Sequence, residues 1–176
     1  FGQGMSVSAI QLITAVSAIA NNGRLMRPML IKKIISNTGQ TIQENRPEFI
    51  RQVVSKETAA RVKRMMNLVV QEEGTGTKAA MDGYSVCGKT GTAQKALPNG
   101  QGYARDKYTA VFAGFAPKKK PELAILVVVD EPSRSHYGGD VAAPAFKNIM
   151  AGSFNYLHIP PESSQMLALI NTGEDQ

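Results

Sequence analysis

The stretch GYSVCGKTGTAQK, Gly83 to Lys95, can be read in two ways, and the choice between them decides the fold. Its first eight letters, Gly83 to Thr90, match the phosphate-loop pattern of Gly, four residues, Gly, Lys and Ser or Thr. Such a loop needs a buried strand before it and a helix opening at the Lys-Thr pair, so that backbone N–H groups surround the phosphates. Neither neighbour fits. The residues before it, TKAAMDG, are no apolar strand, and those after it, GTAQKALPNGQG, put Gly91 in the would-be first turn, then Pro98, Gly100 and Gly102. Only Asp130, at the end of an apolar run, suits a phosphate-bound cation. The other reading is an extended strand. Alternation then points Lys89 and Gly91 one way and Thr90 and Thr92 the other. Gly88 and Gly91 let another molecule's backbone approach closely. The strand reading is the better one.

Working outward, the segment YTAVFAGFAP alternates large and small residues, and LAILVVVDEP is apolar on both faces, as a central strand should be. The PKKKP turn, Pro117 to Pro121, joins them as antiparallel neighbours. MLIKKIIS and FIRQVVS flank the turn-rich NTGQ and are expected to pair as a hairpin. Three helices frame these strands. The first opens on a capping box of Ser8 and Gln11 and stops at Gly23. The second is capped by Ser55 and expected to end at Gly74, with Val62, Met65, Met66, Val69 and Val70 on its apolar face. The third runs from about Val141 to Tyr156, with Phe146, Ile149, Met150 and Phe154 in one stripe. The order is that of an α+β domain, an antiparallel sheet with helices packed on it.

Composition narrows the function classes. A chain of 176 residues suffices for one domain with a sizeable core. The formal charge of +6 is spread thinly, and PKKKP, the one basic cluster, reads as a solvated turn. With no tryptophan and few aromatics beside the lysines, no nucleic-acid partner is expected. One cysteine, Cys87, and two distant histidines, His136 and His158, offer no metal-ligand spacing, so neither metal nor cofactor is expected. The longest apolar run, Leu123 to Val129, is too short to span a bilayer. The chain opens at Phe1 without an initiator methionine and reads as a piece of something longer.

The four letters KTGT, Lys89 to Thr92, belong to serine enzymes that attack β-lactams and peptidoglycan stem peptides. Alone they say little; their company says more. FGQGMSVSAIQLITAVSAIANNG, VVQEEGTGTKA, VCGKTGTAQK, YTAVFAGFAP with LAILVVVDEP, and GGDVAAPAFKNIM stand in that order up to about Leu157. Together they resemble the C-terminal part of the transpeptidase domain of class B penicillin-binding proteins, the membrane-anchored enzymes of cell division and elongation. Ala9 departs from the proline often found there. The resemblance implies a partial serine β-lactamase/transpeptidase-like domain over residues 1–157, followed by a polar tail, 158–176. It implies that Lys89 sets the electrostatics around a nucleophile and that Thr92 supplies a backbone oxyanion donor. Thr90 and Thr92 would bind the terminal carboxylate of a D-Ala-D-Ala stem or of a β-lactam, and Gly91 would keep the strand open to the acyl group. Implied partners are the N-terminal part of the same domain and a cell-wall glycosyltransferase, at the periplasmic side of the inner membrane through an anchor outside this chain.

The same family chemistry needs a Ser-x-x-Lys nucleophile and a Ser-x-Asn motif before the KTGT strand. No Ser-x-x-Lys occurs in these residues. Ser153-Phe154-Asn155 matches Ser-x-Asn by letters but follows the strand, on the last helix. The chain is therefore expected to house carboxylate binding and not acyl transfer, and to be inactive alone. His136 reads as a structural or solvated loop residue, Cys87 as a small buried hydrophobe, and Met65–Met66 as helix core. Two other readings stand beside this one: a non-catalytic penicillin-recognition or sensor domain, and the phosphate loop at Gly83 to Thr90.

Overall fold

A computed structural model describes residues 5–97 and 100–162. Helix α1, Ala9–Ala20, begins where the capping box predicts: the Ser8 hydroxyl accepts from Gln11 N at 3.3 Å, and Ser8 N donates to Gln11 Oε1 at 2.8 Å. It ends in Asn21, Asn22 and Gly23, the last at φ +82°, a conformation that favours glycine. Strand β1, Arg24–Met26, follows, then β2, Lys33–Ile35, β3, Thr41–Glu44, and β4, Phe49–Gln52.

The expected hairpin between the runs at 29–36 and 49–55 does not form. β2 pairs with β3 (Lys33↔Glu44), and β4 pairs with β1 (Arg24↔Gln52). The local turn wins: Gly39, at φ +83°, lets Gly39 N reach Ser36 O and Ser36 N reach Gln40 O, closing a short loop at a small entropic cost. FIRQ is left to line the strand that leaves α1.

Helix α2, Lys56–Leu68, is capped by the Ser55 hydroxyl, which accepts from Thr58 N at 3.1 Å. It stops short of Gly74, because Gly74 N bonds Gln71 O and Gly76 N bonds Val69 O in a run of tight turns. The face expected to be apolar does turn inward at Val62, Met66, Val69 and Val70, but it differs in its neighbours. Ala59 and Lys63 are buried, whereas Met65 is 65% exposed. The Lys63 ammonium donates to Asn22 Oδ1 at 2.9 Å, and burial lowers its pKa.

A 3-10 turn, Thr77–Ala79, leads into the main sheet of β5, Cys87–Ala96, β6, Tyr103–Ala116, and β7, Leu123–Asp130. All pairs are antiparallel, in the order β5-β6-β7, with Thr90↔Phe112↔Val127 in register. The PKKKP turn does join β6 to β7 as expected. It is not simply solvated, since Lys118 donates through Nζ to Asn67 Oδ1 at 2.8 Å and through N to Ser85 Oγ at 3.0 Å. β7 was expected in the centre, but β6 takes that place, and β7 lies at an edge of the described sheet. The third predicted helix is α4, Ala143–Tyr156, preceded by a single-turn helix α3, Gly138–Val141, that was not expected.

The sheet is covered on both faces. On one, Phe146, Met150 and Phe154 of α4 pack against Phe112, Val86 and Ala116, with the Phe112 and Phe146 rings 4.7 Å apart. Ile149, expected in that stripe, is 51% exposed. On the other face, Ala20 of α1 and Met66 of α2 meet Cys87, Phe115 and Ala124. This is the α+β arrangement expected from the sequence. Residues 158–162, placed in the tail by the sequence reading, pack back: the Tyr84 hydroxyl donates to Ile159 O at 2.7 Å, Glu162 N to Gly83 O at 2.8 Å, and Ser85 N to the Glu162 carboxylate. The rest of that tail, 163–176, lies outside the described residues. No described helix is long and apolar enough to cross a membrane.

Candidate active site

Lys89 and Thr90 lie inside strand β5, paired with Ala113 and Phe112. No helix opens at the Lys-Thr pair, so the phosphate-loop reading of Gly83 to Thr90 fails on geometry. The alternation read from the letters holds. Thr90 and Thr92 share one side of β5, while Gly91, between them, turns its Cα toward Val111 of β6.

Thr90 and Thr92 open into a pocket of about 310 Å³ whose other walls come from Thr75 and from Tyr137 to Asp140. Three segments distant in sequence meet here, and glycines let them. A Cβ on Gly139 would collide with the Thr75 carbonyl oxygen, and one on Gly138 would stand 2.6 Å from Gly91 O. Their absence lets α3 lie directly on the strand and on the turn at Thr75.

The hydroxyls are wired to their neighbours. Thr92 Oγ1 accepts from Gly138 N at 3.2 Å. Lys89 folds its ammonium back onto Thr90, donating to the carbonyl oxygen at 2.9 Å and to Oγ1 at 3.4 Å. Thr75 Oγ1 and Thr90 Oγ1 are 2.9 Å apart. Each strand hydroxyl thus receives a protein donor; Thr92 can give its proton to an acceptor in the pocket, and Thr90 can do the same when Thr75 is the donor of their contact. An anion is what such a pocket suits.

One wall carries a carboxylate of its own. Asp140 accepts from Lys78 Nζ at 2.7 Å and from Ser135 Oγ at 2.9 Å, which offsets its charge beside an anion-binding surface. The hydrogen bonds from Lys78 and Ser135 hold its carboxyl below the usual carboxylate range. Thr75 and Asp140 were not singled out from the sequence. GTGTK shows a turn and no periodicity, and nothing in it says which strand the turn will meet.

The remaining candidates fall outside the pocket's chemistry. His136 is sandwiched, its ring 4.3 Å from Tyr108 and 4.2 Å from Tyr137, as a structural residue would be. Cys87 is fully buried, its thiol donates to Lys63 O at 3.3 Å, and burial pushes its pKa up to about 11, so it is no nucleophile. Ser153 and Asn155 ride the last turn of α4, where Phe154 between them packs on Tyr84, beyond the start of β5 and away from Thr92. Among the described residues no cluster of three or more metal-ligating side chains occurs.

Comparison with known proteins now decides the family. The model of the penicillin-binding protein transpeptidase domain matches residues 1–151. The chain belongs to that family. Stage V sporulation protein D of Bacillus subtilis is 42% identical over 168 residues, which is 94% of this chain and 26% of that protein. A protein named probable peptidoglycan D,D-transpeptidase PenA, from Neisseria gonorrhoeae, is 39% identical over 98% of this chain and 28% of its own length. Among solved structures, penicillin-binding protein 3 of Mycobacterium tuberculosis, complexed with ampicillin, superposes with a TM-score of 0.81 at 38% identity, over 91% of this chain and 37% of that one. The chain therefore spans about a quarter of the length of these curated relatives. The fold and family read from the ordered motifs are the ones found.

Proposed function

We propose that this chain is the carboxylate-binding part of a serine-type peptidoglycan D,D-transpeptidase. In that reaction a serine outside these residues attacks the penultimate D-Ala carbonyl of a stem peptide, forming an acyl-serine and releasing the terminal D-Ala. The amine of a neighbouring stem then takes the acyl group and frees the serine. Thr90 and Thr92 hold the substrate's terminal carboxylate, Lys89 supplies positive potential beside the nucleophile, and Thr92 N–H stabilises the oxyanion. Loss of such a donor costs about 10²–10³ in rate. Gly91, expected to leave room for the acyl group, acts instead from behind the strand, where its missing side chain lets β5 lie close on Val111 of β6. A β-lactam is taken as a mimic of the same stem and stays on the serine.

One observation carries this reading: the two strand hydroxyls line one pocket and each receives a protein donor, Thr90 from Lys89 Nζ and Thr92 from Gly138 N, so that each can give its own proton to a ligand carboxylate. The absence of Ser-x-x-Lys in the sequence supports placing the nucleophile elsewhere. The apolar surface left on α1, where Ile10 is 52% exposed above a groove formed with Leu25, Pro28 and Val53, supports a covering partner, as does the open edge of β7. That partner is the N-terminal part of the same domain. We further propose an extracytoplasmic location, through a membrane anchor outside these residues, beside a cell-wall glycosyltransferase.

The test is intact-mass and peptide mapping of the complete protein after benzylpenicillin. The expected result is one acyl adduct on a serine outside these residues. An adduct on a serine within them would leave the family standing and remove the division of labour. An acylated protein that never cross-links stem peptides would point to a penicillin sensor instead.

A further inference from the structure

Thr75 has no role in the function proposed above, yet its hydroxyl is the nearest side-chain partner of the hydroxyl on which carboxylate binding there depends. It stands 2.9 Å from Thr90 Oγ1, is exposed to the pocket, and lines it together with Thr90 and Thr92. Its backbone is fixed from three sides. Gly74 N bonds Gln71 O, Gly76 N bonds Val69 O, and Gly139 lies against the Thr75 carbonyl oxygen so closely that a methyl group there would collide. A side chain on a turn this firmly held is aimed, and this one is aimed at Thr90.

The proton bookkeeping at Thr90 gives that contact a direction. A hydroxyl has one proton to donate and two lone pairs to receive. The Lys89 ammonium can only donate, and it reaches one lone pair of Thr90 Oγ1 at 3.4 Å. If Thr90 spent its proton on Thr75, it would have none for a ligand. With an anion in the pocket the favourable arrangement is the reverse. Thr75 donates into the second lone pair of Thr90, and Thr90 gives its own proton to the anion. Chains of hydrogen bonds polarised in one sense strengthen each member.

We infer that Thr75 is a positioning residue for carboxylate recognition: it donates to Thr90 Oγ1 and thereby commits the Thr90 proton to the carboxylate of a stem peptide or β-lactam. This rests on the transpeptidase reading, and its test separates the two. The complete protein is compared with its Thr75→Val and Thr75→Ser variants, with acylation rates measured for benzylpenicillin and for benzylpenicillin methyl ester, which lacks the anionic carboxylate. Valine keeps the shape and removes the donor; serine keeps the donor. For Thr75→Val the expected result is about a tenfold slower acylation by the free acid, the size of one hydrogen bond, and less than about a twofold change for the ester. Thr75→Ser stays within about threefold of the unmodified protein for both probes. An equal loss with both probes, or no loss with the free acid, overturns the role of Thr75 while leaving the transpeptidase reading in place. If the unmodified protein is not acylated at all, the transpeptidase reading falls and takes this inference with it.

Discussion

Replacing Gly91 by alanine tests how the pocket is supported from behind. A Cβ at this position would lie 2.5 Å from Val111 Cγ2 on the neighbouring strand. Carbon atoms settle ~3.5–4.0 Å apart, so at least about 1 Å must be recovered. Two routes exist. Val111 can leave its rotamer, at ~0.5–1.5 kcal/mol, or β5 can move away from β6, an overpacking cost of ~1–3 kcal/mol. The second route carries Thr90 and Thr92 with it, because they flank Gly91 on the same strand. A displacement near 1 Å at such a site is worth about 10² in rate. The expected outcome for Gly91→Ala in the complete protein is a lower melting temperature and acylation by a fluorescent penicillin slowed by about ten- to a hundredfold. Val111→Ala on the same background removes the colliding methyl group and should return most of the rate. A single variant that acylates within threefold of the unmodified protein would refute the reasoning, and so would a slow single variant that the second change fails to rescue.

Other outcomes bear on separate parts of the molecule. Gly114→Ala would set a Cβ 2.5 Å from Cys87 O and 3.1 Å from both Gly88 Cα and Phe146 Cζ; two of these neighbours are backbone, so the variant should not yield folded protein, as judged by circular dichroism and soluble yield. Phe146→Ala empties the fully buried centre between β6 and α4 and should cost ~3–5 kcal/mol in denaturant unfolding. Asp140 has its folded pKa depressed by Lys78 and Ser135, so the tie it makes is complete above its unfolded pKa and is lost as the pH falls through the lower folded value. A carbon-detected titration should find Asp140 below the ordinary aspartate range and nearer to it in Lys78→Met; an unchanged Asp140 in that variant would discount the pair. Cys87, with its thiol pushed up to about 11, should resist a disulfide reagent at pH 8 in the native protein and react once it is unfolded; fast native labelling would contradict its burial.

Much of the main sheet was legible because its signals are local. The side chains of β5 alternate as the letters say, and a short turn such as PKKKP leaves two apolar runs little choice but to pair. The helix caps at Ser8 and Ser55 were equally plain, since a capping hydroxyl acts within three residues. What escaped was long-range. The four short strands chose partners by which loop closed most cheaply, and β-propensity does not report that. Met65 and Ile149 kept helical spacing yet face outward, because the width of a helix's buried stripe is set by what packs on it. At the site, Lys89 to Thr92 stood out as a run of letters. Thr75 and Asp140 could not, as each is a lone polar residue in a turn or short helix, made relevant by glycines that bring three separate segments within hydrogen-bonding reach. The charge on Lys63 would have argued for solvent; the Asn22 side-chain carbonyl, just past the end of another helix, makes its burial tolerable.

Strand β6 has a neighbour on each side from Thr109 to Phe115, whereas β5 is hydrogen-bonded to β6 alone within the described sheet. This ranks the amides by how rarely they open. Those in the middle of β6 should exchange with deuterium only when the whole sheet comes apart, and those along the outer margin of β7 should exchange readily until something docks there. The threonine constellation rides on β5, the less protected partner, so its lifetime is set by how long β5 holds to β6, a strand that contributes no residue to the pocket's lining. The deuterium uptake of β7 becomes a clock for assembly, slowing when the rest of the enzyme arrives.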